Sequence, residues 1–380
     1  MLAHLQALTW RLRTPHRAVW AVAPYAEPVR RRDGTVVFRP RRAAETGEEG
    51  WACVDDAARA ALLALHIAES RGDQDDDERE TRHAALLWAR RWLTFVRYMQ
   101  LPDGRFVNFV LDAEGRRNLS GSTSLPGGVW WTGRALWALA RYHRLTGSRW
   151  ALAAWLRCPL PDVGDAGKTL GLFALAGCEL LRADPQALPP ALGKRLSNEQ
   201  MRVRALIERW CRAIIASGPG YFRDEPGRVD LPLWGYHQLH AVAAAAEVLG
   251  CPEWIHPCAV TVRNLVEPVV AARGLYHWDP EHGHSKEGLC AYCLSPLVQG
   301  LTALYRLSGD PHHRLLAREA ADWLFGRNDA HAVLYDPVTG RCADGLDGPS
   351  ASTQSANYGA ESSIEAGFME MERRALLGTL

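Results

Sequence analysis

The strongest constraint on this chain is a helical hydrophobic period that recurs along most of its length, broken by connections that alternate between short and long. Apolar residues at helical spacing, carried by strong helix formers, run through 51–70, 81–101, 128–146, 148–157, 168–183, 197–217, 233–250, 253–272, 288–308, 311–326 and 358–377. Strand-like alternation is almost absent. The segments GVWWTGRALWALARYHRLTG, YHQLHAVAAAAEVLG and SPLVQGLTALYRLSGD each reach a glycine suited to a left-handed C-cap. The links LTGS, LGCPEW and LSGDPHH are short enough to join antiparallel neighbours, whereas 102–127, 218–232, 273–287 and 327–357 are long and rich in Gly, Pro, Asp and Asn. This alternation predicts an all-α fold, an (α/α)6 barrel of helical hairpins, with the long connections gathered on one face.

A toroid of this kind encloses one core with the 380 residues available. The expected division is an N-terminal extension over 1–50 that packs on the barrel, and a single catalytic domain over 51–380. The 44 Lys+Arg against 43 Asp+Glu give a formal charge of +1, so neither nucleic acid nor an anionic membrane is expected as a partner. The opening MLAHLQALTWRLRTPHRAVW has frequent polar interruptions and no small-residue cleavage site, and is read as neither signal peptide nor anchor. A cytoplasmic location follows as the expectation. Nine cysteines at irregular spacings suit reduced thiols in a core better than a disulfide framework.

Long loops at one end of a rigid scaffold are the usual place for a binding site. Fifteen Trp is high for this length, and Trp51, Trp130, Trp131, Trp234 and Trp278 lie at or beside the long connections with Tyr221, Tyr236 and Tyr276. Flat aromatic faces with a polar edge suit sugar rings. Trp88, Trp92 and Trp137, placed mid-helix, are read as core instead.

Two segments carry candidate chemistry. In WACVDDAARA, Asp55 and Asp56 open an Ala/Leu-rich helix, and because neighbours on a helix point about 100° apart, one can face a cavity while the other caps the helix or pairs with Arg59. The second is the stretch from Asp322 through Arg327, Asn328, Asp329, His331, Tyr335, Asp336 and Asp344 to Asn357 and Glu361, too polar to be core. Ring closure sets the last hairpin beside the first, so Glu361 and the Asp55/Asp56 pair are expected to be neighbours. Two carboxyls on one cavity are the minimum apparatus for glycoside hydrolysis. Gly359 and Ala360 are read as small residues that admit substrate to the backbone.

A third cluster sets His282 and His284 a few residues before Cys290 and Cys293. Imidazole and thiolate are zinc's preferred ligands, but the His-to-Cys spacing fits no zinc motif, and neither a metal nor another cofactor is expected. His282 and His284 are placed in the cavity lining and the cysteines in the core as small apolar groups. His237 and His240, i and i+3 on one helix face, are candidates for sugar contact or for the proton-transfer pair of an epimerase.

The runs VDDAARA, WLFGRNDA, LYDPVTGRCADGL and NYGAESS together resemble a bacterial family of the six-hairpin glycosidase superfamily, often encoded with or fused to glycosyltransferases; the resemblance spans residue 51 to about 368. A looser similarity joins the chain to family-nine cellulases, which carry an N-terminal Asp pair, a late FGRN-like segment and a C-terminal catalytic Glu. That likeness implies Asp55 or Asp56 as base and Glu361 as acid, although the spacing from Glu361 to Ala366-Gly367-Phe368 departs from theirs. The expected activity is an inverting glycoside hydrolase acting on an oligosaccharide or other glycoside. Trp51, Trp130, Trp131, Trp234, Tyr236, His237, Trp278, His284, Asn328, Asp329, Asp344 and Asn357 are the expected sugar contacts. The rivals are a sugar epimerase or isomerase on the same barrel and a non-catalytic sugar-binding module accessory to a glycosyltransferase.

Overall fold

A computed structural model describes residues 1–14, 18–44, 49–71, 75–162 and 166–378; the expected extension therefore lies partly outside the described residues. Among the described residues there are thirteen α-helices: α1 (Ala3–Ala7), α2 (Val54–Ser70), α3 (Asp76–Tyr98), α4 (Val129–Thr146), α5 (Arg149–Trp155), α6 (Gly167–Leu181), α7 (Pro190–Ala216), α8 (Gln238–Leu249), α9 (Ile255–Thr261), α10 (Glu267–Ala271), α11 (Ala291–Ser308), α12 (Pro311–Ala321) and α13 (Ala360–Leu377). Helices α2, α4, α6, α8, α11 and α13 pack each on the next, and α13 returns to α2, which closes a ring of six. Helices α3, α5, α7, α9 and α12 lie outside their respective partners, and short α1 lies against α13.

Sequence decides which helices are inner. Helix α6 is buried on every side from Gly167 to Leu180 and is built of Gly, Ala, Leu and Phe with few charges, whereas α3 buries one stripe, Ala85, Ala89, Trp92, Leu93 and Val96, and turns its charges outward. Ring closure needs a small residue. A Cβ on Gly367 of α13 would sit 2.6 Å from Leu63 Cδ2 of α2. Glycines 147, 250 and 309 take the expected left-handed C-cap geometry, with φ of 66°, 73° and 71°. Between α9 and α10 one π-turn intervenes, with the Glu267 N–H bonded to Val262 O; Pro268 lacks the next donor that a regular helix would use.

The long connections meet as expected. Each leads into the N-terminus of an inner helix, and short ladders tie them to one another and to the helix entrances: Ala52–Cys53 before α2 pairs with Phe109–Val110, Leu231–Pro232 with His277–Trp278, and Leu289–Cys290 before α11 with Gly345–Leu346. Among the described residues, no helix is long and apolar enough to cross a membrane.

The N-terminal residues, which carry none of the helical period, add strands to the mostly helical chain. They form two antiparallel hairpins, β1 (Thr9–Leu12) with β2 (Val19–Val22) and β3 (Tyr25–Arg30) with β4 (Val36–Arg41). The first lies on α3, where Trp92 Nε1 donates to Thr9 Oγ1 at 3.0 Å. The second reaches the entrance of α13: Ala360 N donates to Pro24 O at 2.9 Å and Tyr358 N to Ala26 O at 2.9 Å. Alternation over four to six residues was too brief for period counting to register.

Candidate active site

The six inner helices point their N-termini at the long loops, and the first turns of α2 and α13 stand side by side. On α2, Cys53 caps the helix: its Sγ accepts from Asp56 N at 3.4 Å and donates to Asp56 Oδ2 at 3.3 Å. One turn later Arg59 takes up four carboxylates. Its Nη2 contacts Asp56 closely, Asp55 Oδ2 at 3.3 Å and Glu361 Oε1 at 3.0 Å, while Nη1 donates to Glu365 Oε1 at 2.9 Å. Arg134 of α4 closes on Asp55 from the other side and lies 4.8 Å from the ring centroids of Trp130 and Tyr292. Arg59 also lies over the Tyr292 ring, at 4.7 Å.

Burial sets the electrostatics. Desolvation pushes Asp56 up to about 7, against the pull of Arg59 and helped by the neighbouring Glu361 and Asp55. The helix N-terminus and Arg59 both favour a charged Asp56, but its burial outweighs them. Burial works against the charge on Arg59, but Asp56, Glu361, Asp55 and Glu365 overcome it and raise its pKa. Arg134 moves the other way, since burial outweighs its attraction to Asp55.

Asp55 and Glu361 do come together, as ring closure predicts, but with a guanidinium between them. Their nearest oxygens lie no further apart than the two contacts to Nη2 laid end to end, about 6.3 Å. An inverting pair stands about 6.5–9.5 Å apart to leave room for water; here the Arg59 guanidinium occupies the space between the two carboxylates.

The aromatic rim is partly as expected. Trp130 and Trp234 pack edge to face at 5.2 Å, and Lys168 Nζ lies 4.6 Å from the Trp234 ring while pairing with Asp224 at 3.2 Å. Trp278 stacks on His284 at 4.2 Å, and Trp51 stands exposed before α2. Asp344 and Asn357 serve α13 and its approach: Ser362 Oγ donates to Asp344 Oδ1 at 2.6 Å, and Asn357 links Asp344 to Ala26 N.

Other expected contacts are structural. Trp131 is buried with its Nε1 on Phe106 O at 3.0 Å, and Tyr236 is buried with its hydroxyl on Phe222 O at 2.9 Å. Asn328, fully buried, staples its own loop through Trp323 O and Ala332 O at 2.7 and 2.8 Å. Asp329 is taken by Lys286. Gly359 admits a backbone, but that of Pro24: a Cβ there would lie 1.8 Å from Pro24 O. His237 is buried against Trp137, and burial followed by the charge on Arg134 holds it neutral. His282 binds Asp279, and the thiols of Cys290 and Cys293 touch each other at 3.7 Å. Among the described residues, no group of three His, Cys, Asp or Glu side chains is arranged to hold a metal ion.

Sequence reasoning missed Arg134, Tyr292, Lys168 and Glu365. Glu365 had a signal, lying one helical turn after Glu361. Tyr292 is fixed by a proline. Pro296 cannot donate to the carbonyl four residues back, and that carbonyl, Tyr292 O, accepts from Gly235 N at 3.2 Å, tying the loop before α8 to α11.

No family model matches the sequence, and no curated protein matches it. Solved structures do match over most of their length. A sugar epimerase from a ruminal bacterium is 15% identical, with 88% of this chain and 94% of that chain covered and a TM-score of 0.59. A cellobiose 2-epimerase from Spirochaeta thermophila is 17% identical, with 89% and 90% covered and a TM-score of 0.59. A zinc-binding triple mutant of a family 9 endoglucanase is 13% identical, with 98% and 83% covered and a TM-score of 0.54. At these identities the likeness is one of architecture, and it agrees with the closed ring of six inner helices: the chain has the (α/α)6 fold of the six-hairpin enzymes.

Proposed function

We propose that the chain is a carbohydrate-active enzyme whose site is the loop-side mouth, and that it cleaves a glycosidic bond with Glu361 and Asp55 as the working carboxyls. The observation that carries this reading is the convergence of Asp55, Asp56 and Glu361, from the first and last inner helices, on the Arg59 guanidinium. Of the four carboxylates there, Glu361 has the most open side chain, at 26%, and Asp55 follows at 13%; Asp56 and Glu365 are sealed, at 3% and 1%. A substrate in the mouth meets the first two. Asp56, pushed up to about 7 chiefly by burial, keeps a proton within reach of the site near neutral pH. In this reading Glu361 turns toward the mouth and protonates the leaving oxygen, Asp55 activates water, and Trp130, Trp234 and Trp51 form the platform for the rings. The named folds that resemble this one include a family 9 endoglucanase, which agrees with a sugar substrate.

The test is the release of new reducing ends from a panel of α- and β-linked oligosaccharides. The proposal expects release by the wild type and its loss in Glu361→Gln. A second reading, epimerisation without cleavage, has its own support: His237 is neutral with an unpartnered Nδ1, and two of the similar folds are sugar epimerases. NMR of the same incubations separates the two. An epimeric sugar without new reducing ends favours the histidine, and new reducing ends favour the carboxylates.

A further inference from the structure

A second polar opening in the barrel lies away from this cluster. At the C-terminal ends of the inner helices there is a cavity of about 440 Å³, within the range of small-molecule sites. Trp137 of α4 forms part of its lining and also packs against His237, so it stands between the cavity and the loop-side cluster.

Its charges cancel. Arg141 pairs with Glu69 at 2.5 Å, Arg144 with Glu179 at 2.6 Å, and Arg306 with Glu372 at 3.0 Å. Arg182 and Glu247 pair likewise, and His66 and His240 are both pushed down to about 3, by burial first and then by the charge on Arg141, so they add no charge at neutral pH. An anion meets carboxylates already paired with every arginine and the negative ends of six helices; a free cation finds no unpaired carboxylate.

What the lining does lack is hydrogen-bond partners. Trp137 Nε1, Arg141 Nε and His240 Nδ1 are buried without one, although Arg141 Nε lies 3.9 Å from Glu179. Trp137 and Arg141 are 6% and 8% exposed. Buried polar atoms in native proteins are almost always partnered, and these three belong to residues that border one cavity, where a hydroxylated molecule could supply partners. Trp137 and Phe368 supply aromatic surface in the same lining.

We propose that this opposite mouth is a second carbohydrate-binding site, separate from the loop-side site, that takes a neutral mono- or disaccharide. Hydroxyls both donate and accept, so they serve the orphan atoms and the outer lone pairs of the paired carboxylates without disturbing the charge balance. The site does not depend on the reaction assigned to the other end.

The experiment is saturation-transfer NMR and calorimetry with glucose, mannose, galactose, cellobiose, maltose and lactose on the full chain. Three variants accompany the wild type. Glu361→Gln alters the loop side, Ala303→Trp fills the opposite cavity, and Gln299→Leu removes a lining amide with little change in volume. The proposal expects one-site binding of at least one sugar that survives Glu361→Gln and weakens about tenfold or more in Ala303→Trp and Gln299→Leu, with unchanged circular dichroism. If Ala303→Trp fails to fold, Gln299→Leu alone decides. Absence of binding by every sugar at about 10 mM overturns the proposal. So does binding lost in Glu361→Gln but kept in the cavity variants, or displacement of the sugar by inorganic phosphate. Reducing-end release is measured on the same samples, so failure here and failure of the glycosidic reading are scored separately.

Discussion

Arg59 on the first inner helix donates to Glu361 on the last, at 3.0 Å and across 302 positions of sequence. The ring closes electrostatically as well as by packing. A buried cation surrounded by carboxylates is costly to remove, because the acids stay behind without a counter-ion. Arg59→Met is therefore expected to lower stability by about 3–5 kcal/mol. Adding Glu365→Gln, which removes one orphaned charge, should recover part of the loss. Urea unfolding of both variants checks this, and additive losses would contradict the shared-ion account.

Asp56 gives a pH signature. The folded chain holds its proton up to about 7, whereas the unfolded chain releases it near the ordinary aspartate value of about 3.9. Between these limits the folded state binds more protons, so this group's contribution to stability falls as pH rises. Asp56→Asn should remove that component: its melting temperature relative to wild type is expected to climb as pH goes from about 4 to 7. A constant difference across that window would show that Asp56 titrates normally.

His66 and His240 act with the opposite sign. Their folded pKa values are pushed down to about 3, mainly by burial, so below the ordinary value of about 6.5 the unfolded chain takes up protons that the folded chain refuses. Their contribution is intact above that pH and is lost progressively on acidification toward 3. His66→Gln should flatten the acid limb of the melting temperature. An acid limb identical to wild type would place the sensitivity elsewhere.

Gly235 joins the loop before α8 to the aromatic rim. Its φ is +69°, and a Cβ there would lie 2.4 Å from Tyr292 Oη and 2.7 Å from the Trp130 ring. Left-handed backbone alone costs an alanine about 1 kcal/mol, and displacement of the two aromatics adds to it. Gly235→Ala is expected to destabilise by about 2 kcal/mol or more and to weaken sugar binding at the loop side, read by denaturant unfolding and titration calorimetry.

The ring was legible because its signals are local and repeated. Helix α6 reads as inner from its Gly, Ala and Leu on every face, and Gly147, Gly250 and Gly309 mark their C-caps in the sequence itself. Ring closure then placed Glu361 near Asp55. What the sequence did not disclose was the content between them: the one guanidinium serving four acids depends on side-chain reach between the adjacent first turns of α2 and α13. Trp131, Tyr236 and Asn328 look like site residues by type and position, yet a turn of each element carries them to carbonyls of Phe106, Phe222 and Trp323 instead. The hairpins of residues 9–41 were invisible because six residues of alternation, held to α3 and α13 by tertiary bonds, carry too little period to count.

The central claim is that Glu361 and its arginine-bound partners act on a glycosidic bond. Its most direct measurement is the turnover of Glu361→Gln, a nearly isosteric change, on the oligosaccharide that the wild type cleaves fastest. The account predicts a fall of roughly 10²–10⁴-fold in kcat with an unchanged fold. Wild-type turnover in the purified variant, with the same circular dichroism, would contradict it.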